Sequence, residues 1–263
     1  MVSKKDGVSP AQTRVTPAVE TGGAKQHAPA LGAICTICGG AGRLRVDVPY
    51  GHPDFGKSVS CACSEAWQTS QRLQQRRLAA NLDTLRDSTF KTFNSRVSGV
   101  QEAFQASIEF GANPQGWLLL VGPCGCGKTH LAAAIANQRL ESGAEVFFTT
   151  TPDLLDTLRA AFTSPERYTL LFAHVREVEL LVLDDLGAQQ PSPWSNEKLL
   201  QILTHRANAA LPTVITATPK ELPGLDERLR SRLTDTQLVT TVLFKHAKDF
   251  RLQKIIADTT RRT

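Results

Sequence analysis

No stretch of this 263-residue sequence approaches the ~20 consecutive apolar residues that a bilayer-spanning helix requires. The opening segment also lacks the apolar core of a secretory leader, so the expected compartment is the cytoplasm, with no membrane partner. There is no internal repeat. No N-K-x-D signature for guanine is present, and the residues after 244 leave no room for a helix-turn-helix reader of duplex sequence. Charge is not extreme: a net +5 and a pI near 9.0 permit an anionic partner without requiring one.

Cysteine is scarce but patterned. The six cysteines fall as three close pairs, Cys35/Cys38, Cys61/Cys63 and Cys124/Cys126. In a reducing compartment paired cysteines point to metal rather than to disulfides. The first two pairs are 22 residues apart, and "CTICGGAGRL" carries the glycines of a tight metal knuckle. Four thiolates so spaced make a tetrahedral Zn²⁺ site, with His52 as a possible replacement for one of them. So short a region, with so little to bury, needs such a staple.

Composition and pattern divide the chain into residues 1–31, polar, Pro/Gly-punctuated and expected to be a disordered tail; a zinc-binding module at 32–66; a helical linker at 67–95; the main domain at 96–244; and a basic tail at 245–263. Residues 65–86 look helical. From residue 116 the pattern alternates strand and helix. Apolar runs at 116–122, 144–150, 179–185, 212–218 and 236–244 read as five buried strands. The intervening helices include one capped at Thr151 with Pro152 behind it, and one capped at Ser195. This alternation is α/β, a parallel sheet with helices on both faces and its site at the carboxyl ends of the strands.

The run "GPCGCGKT" fits G-x-x-x-x-G-K-[ST], from Gly122, Pro123, Cys124, Gly125, Cys126 and Gly127 to Lys128 and Thr129. Backbone N–H groups of such a loop converge on one anion at a helix N-terminus. Lys128 adds charge to the β- and γ-phosphates, and Thr129 offers a hydroxyl to Mg²⁺. A metal on Cys124 and Cys126 would pull the loop out of the shape that receives phosphate, so these two are expected as small filler. A reactive-thiol role stays open, since helix N-termini favour thiolates. Downstream, "LLVLDDLG" puts Asp184 and Asp185 at the end of a buried strand. One carboxylate is expected in the Mg²⁺ shell and the other on the attacking water. Without a guanine signature, ATP is the expected nucleotide and hydrolysis to ADP and phosphate the expected reaction.

With "RDSTFKTFN", "LLVLDDLG", "ILTHRANAALPTVITAT" and "DERLRSRL" following in this order, the chain resembles AAA+ ATPases of the DnaC/DnaI helicase-loader and IstB type. The resemblance implies an AAA+ P-loop fold with a five-stranded parallel sheet, preceded by the zinc-binding domain, and a slow, switch-like ATPase. It implies that Asp184 binds Mg²⁺ through water and that Asp185 takes the catalytic place. Thr218 falls where the group has a sensor asparagine ("TAT" for "TSN"), with Thr216 as substitute. Arg232 matches the arginine finger, Arg228 is second, and Arg251 matches a nucleotide-contacting arginine near the chain end. The "CxxC…CxC" layout is similar to that of DnaI-like loaders.

The implied function is a loader that escorts a replicative hexameric helicase onto single-stranded DNA, gripping it through the zinc module and assembling through its ATPase domain. The six Lys and Arg of residues 245–263, against two Asp, would attract phosphate backbones without reading sequence. An IstB-like transposase helper is the alternative. A nucleotide-gated adaptor without hydrolysis is disfavoured by Lys128, Thr129, Asp184 and Asp185 all being present.

Overall fold

The computed structural model of the chain describes residues 14–17, 35–245 and 250. They fall into two compact units, residues 1–74 and 75–263. In the first, β1 (Arg14–Pro17), β2 (Arg43–Asp47) and β3 (Ser58–Ser60) form an antiparallel sheet with β2 in the middle. Strand β1 lies inside the stretch expected to be a disordered tail and corrects that expectation for four residues, whose backbone pairs with β2. The rest of that tail and most of the basic C-terminal tail, Arg251 included, lie outside the described residues.

A small sheet of this kind encloses little. Among the described residues from 35 to 79, the buried apolar side chains are Cys38 and Cys61 alone. Helix α1 (Ala62–Ala79) buries none of its side chains. It also stops short of the expected residue 86: Asn81 turns left-handed at φ 58° and a 3₁₀ turn, Asp83–Leu85, follows.

Beyond the 3₁₀ turn, the second unit continues with α2 (Gln101–Ala112), which the sequence pattern did not reveal. Then come β4 (Trp117–Val121), α3 (Lys128–Glu141), β5 (Val146–Thr150), α4 (Thr151–Ala160), α5 (Pro165–Glu177), β6 (Leu180–Asp184), α6 (Pro193–Asn208), β7 (Thr213–Ala217), α7 (Glu227–Leu233) and β8 (Val239–Leu243). The five strands pair in parallel in the order β5-β6-β7-β4-β8. Every residue of β4, β6 and β7 is buried, which is why these strands read as predominantly apolar runs.

Two helix caps differ from expectation. Thr150, not Thr151, caps α4 by accepting from the Asp153 amide. Ser192, not Ser195, caps α6, and Ser195 closes a reciprocal capping box from the third helical position. Helix α6 is tied to the end of α5 by Arg206, wholly buried, whose guanidinium donates to the Val175, Arg176, Val178 and Pro212 carbonyls and to Thr213 Oγ1. Among the described residues no carboxylate answers this charge. Instead the carbonyls that end α5 do, an arrangement that complements the negative pole of that helix, and burial lowers the Arg206 pKa to about 10. Among the described residues no helix is long and apolar enough to cross a membrane.

Candidate functional site

The phosphate loop joins the carboxyl end of β4 to α3, and two of its glycines have no substitute. Gly127 sits at φ 102°, and a Cβ there would stand 2.7 Å from Phe93 Cε2. At Gly122 a Cβ would stand 2.7 Å from Phe244 and 2.8 Å from Cys126 Sγ. Cys126 is therefore turned into the body of the loop, and burial raises its pKa and favours the neutral thiol. Cys124 is exposed. Lys128 folds back over the loop, its Nζ donating to the Gly122 and Pro123 carbonyls at 3.0 Å each.

The acidic pair arrives from β6. Thr129 Oγ1 donates to both carboxylate oxygens of Asp184, at 2.9 and 3.1 Å. Thr216 Oγ1 donates to Asp184 at 2.7 Å and accepts from the Asp185 amide at 2.9 Å. So Thr216, on the neighbouring strand β7, fixes both acids at once. The backbone amide of Thr218 donates to Glu221 Oε2 at 2.9 Å. Asp185 takes a left-handed φ of 53° and lines the cavity that also holds Lys128 and Thr129.

Asp184 is 3% exposed. Burial raises its pKa and the nearby charge of Asp185 adds to that, while the Thr216 and Thr129 hydroxyls and Lys128 oppose the rise. A buried carboxylate beside a hydroxyl and a second carboxylate is a donor set that fits Mg²⁺. The raised pKa fixes a sign. The folded state holds this proton more tightly than the unfolded state, so ionising Asp184 costs stability as pH rises through the raised value. Asp184→Asn is expected to raise the melting temperature of the nucleotide-free protein at neutral pH, with the gain shrinking in acid. It is also expected to abolish stabilisation by Mg·ATP. Calorimetry at two pH values, with and without Mg·ATP, checks both.

The cavity, about 400 Å³, runs from the loop to Val97 and Val100. Its far wall comes from the segment before α2. His130 meets the Thr89 carbonyl at 3.0 Å and Thr92 Oγ1 at 3.3 Å, and Phe93 stacks on Phe104 at 5.5 Å. Phe250 closes the rim, its amide donating to the Gly125 carbonyl at 3.1 Å. Sequence reasoning missed Phe93, His130 and Phe250, whose contacts join distant parts of the chain. Arg228 and Arg232 lie on α7: Arg228 is exposed and held by Asp226, whereas Arg232 is half-buried with no carboxylate partner among the described residues.

In the first unit the sulfurs of Cys35, Cys38, Cys61 and Cys63 all lie within 4.8 Å of one another. Cys35 to Cys61 is 3.9 Å and Cys38 to Cys63 is 3.4 Å, close to the about 3.8 Å that separates sulfurs around a tetrahedral zinc. Burial raises the Cys38 thiol, but the Gly42 amide, Cys63 and further donors bring it down to about 6. The hydrogen bond with Cys38 leads in pushing Cys63 up to about 12. Four thiolates so close repel one another, and a dication resolves that conflict. Cys124 and Cys126 are in no such group, and among the described residues this is the one cluster of three or more Cys, His, Asp or Glu side chains placed for a metal.

The family profile of IstB-like ATP-binding proteins matches residues 62–260. The chain belongs to that family. Over 144 residues it is 34% identical to the replicative helicase loader DnaC of Escherichia coli (strain K12), covering 53% of this chain and 57% of that protein. It thus spans little more than half the length of the curated DnaC proteins it matches. The crystal structure of the DnaC helicase loader superposes with a TM-score of 0.55 at 25% identity, over 60% of this chain and 97% of that one. The replication initiator DnaA bound to AMPPCP and single-stranded DNA gives 0.56 at 19% identity, over 66% and 55%. The second unit is therefore an AAA+ ATP-binding domain, and the resemblance to DnaC-type loaders is borne out.

This IstB-like domain also carries an aromatic ladder that no local pattern announced. Phe162 stacks on Tyr168 at 5.0 Å, Tyr168 on Phe172 at 5.6 Å, and Trp194 meets Phe162 edge-on at 5.7 Å. Arg159 lies 4.8 Å over Trp194, with Arg176 and Lys198 over Phe172. The available signal was the Tyr168/Phe172 spacing, one turn of α5.

Proposed function

We propose that this protein is an ATP-hydrolysing loader that escorts a replicative hexameric helicase onto single-stranded DNA. The observation that carries the ATPase reading is the junction of Thr129 and Asp184 at 2.9 Å, which unites the phosphate loop with the acidic strand end. The loop amides and Lys128 bind the phosphates. Thr129 and, through water, Asp184 would hold Mg²⁺, which when bound would supply positive charge to the phosphates. Asp185, fixed through Thr216, orients the attacking water. Thr218, at the sensor position, and Arg251, near the chain end, remain nucleotide contacts in this reading.

The similarity to DnaC supports the helicase as partner. Phe162, the exposed ring of the ladder, and the charges of Arg159, Arg176 and Lys198 beside the half-buried rings support single-stranded DNA, since bases stack on exposed rings and cations track the backbone. The four-cysteine module holds Zn²⁺ and serves as the grip on the helicase, and the protein works in the cytoplasm. Membership of the IstB-like family favours one second reading, a helper ATPase for a transposase.

Lys128→Ala is expected to lose ATP binding, and Asp185→Asn to keep binding but lose hydrolysis, because the loop acts in the ground state and the water-orienting acid mainly in the transition state. Nucleotide titration and phosphate release measure these separately. Undiminished hydrolysis by Asp185→Asn would show that another group positions the water. Affinity capture with the full chain then separates the two readings, by recovering a hexameric helicase or a transposase.

A further inference from the structure

We infer that one face of the small antiparallel sheet in the first unit is a second binding surface for single-stranded nucleic acid. In a strand pair, residues opposite one another share a face. Arg45 is opposite Ser58 and Arg43 opposite Ser60, whereas Leu44 is opposite Val59 on the reverse face. The first face is thus cationic and hydroxylated, and the apolar side chains of β2 are turned away from it.

The rings stand at the end of this cationic face. Tyr50 and Phe55 are the only tyrosine and phenylalanine between Cys35 and Cys61. They take no part in the core: Tyr50 is 91% and Phe55 44% exposed. They meet edge to face at 5.4 Å, and the Arg45 guanidinium lies 5.9 Å over the Phe55 ring. Their loop is internally braced, with amides of His52, Phe55 and Lys57 donating to the carbonyls of Pro49, His52 and Asp54. A Lys57–Asp54 ion pair of 2.8 Å adds to this. The platform is therefore ordered before a ligand arrives, which limits the entropy lost on binding.

An exposed pair of rings beside guanidinium groups that have no carboxylate partner among the described residues suits an unstacked base with its phosphate. A protein hot spot would instead present a contiguous apolar pocket, and the apolar residues here are on the other face. Asp47 shares the row with Arg43 and Arg45, and Lys57 is already paired, so the attraction is modest and best seen at low salt.

The test uses the full, zinc-loaded chain and a fluorescein-labelled oligothymidylate, followed by anisotropy. Tyr50→Ala/Phe55→Ala is expected to retain zinc and to weaken binding roughly tenfold. Arg43→Gln/Arg45→Gln should flatten the dependence of log affinity on log salt by about 1.4, the value for two phosphate contacts on a single strand. Photocrosslinking with 5-iodouracil should label the peptide containing Tyr50 and Phe55. Unchanged affinity and salt slope in zinc-replete variants, or crosslinks confined to residues 75–263, would overturn the inference. So would unchanged oligonucleotide binding with loss of the captured protein partner, which would assign the face to that partner. The aromatic ladder reports separately, so its failure and the failure of this surface can be told apart.

Discussion

Stripping the metal from the four-cysteine cluster is expected to unfold the small sheet while the ATP-binding unit keeps its melting transition. The reason is the poverty of that unit's core: its buried apolar side chains between residues 35 and 79 are two of the cysteines themselves. Strands of five and three residues with no further apolar interior cannot offset their conformational entropy. Metal binding must supply the difference, and structural zinc supplies about 10–16 kcal/mol in comparable small folds. Hydrogen exchange before and after chelation should show protection lost at the β2 and β3 amides and retained in β4, β6 and β7. Elemental analysis should find one zinc per wild-type chain, none bound tightly by Cys61→Ser/Cys63→Ser, and one by Cys124→Ser/Cys126→Ser. Full zinc in the first double variant would sink the assignment.

The ATP-binding sheet was legible in the sequence because burial on both faces makes its central strands mostly apolar, with polar residues kept where they have partners, as Asp184, Thr213 and Thr216 do. "WLLLV", "LLVLD" and "TVITA" are wholly buried strands, and their alternation with helices makes the parallel arrangement the economical one. Helix α2 escaped because its buried face is made of Ala103, Ser107, Phe110 and Gly111, too weakly apolar to show a period. The caps were misplaced where two candidates compete. Thr150 and Thr151 are adjacent, and Ser192 and Ser195 are the two ends of one capping box, so only the backbone dihedrals decide between them.

A similar divide runs through the site. The phosphate loop is contiguous and demands particular residue types, so eight consecutive residues announced it. The role of Thr216 depends on β6 and β7 lying side by side, and its bonds to Asp184 and Asp185 cross more than thirty positions. The far wall and rim of the cavity join Phe93 to Gly127 and Phe250 to Gly125. The ladder draws on residues 162, 168, 172 and 194. No window of sequence contains either.

Arg232→Ala is expected to abolish the rise of ATPase rate per chain with protein concentration while sparing ATP affinity. A finger acts in trans, so its guanidinium is useless to its own nucleotide and meets the charge that develops on a neighbour's γ-phosphate. In well-studied NTPases such a group is worth ~10³–10⁵ in rate, and a slow loader should gain less. The two arginines of α7 differ in readiness for that task. Arg228 is engaged by Asp226 at 3.4 Å, whereas Arg232 has no carboxylate partner among the described residues and keeps its charge available. Mixing gives the sharper measurement. An Arg232→Ala chain retains its pocket and can receive a finger, and a Lys128→Ala chain has lost its pocket but still offers one. Neither should hydrolyse ATP well alone, yet together they should recover part of the wild-type rate. If mixing restores nothing under conditions where the wild type demonstrably oligomerises, Arg232 is not the finger. Arg228→Ala is then the variant to test, with rupture of its Asp226 pair on assembly as the added requirement.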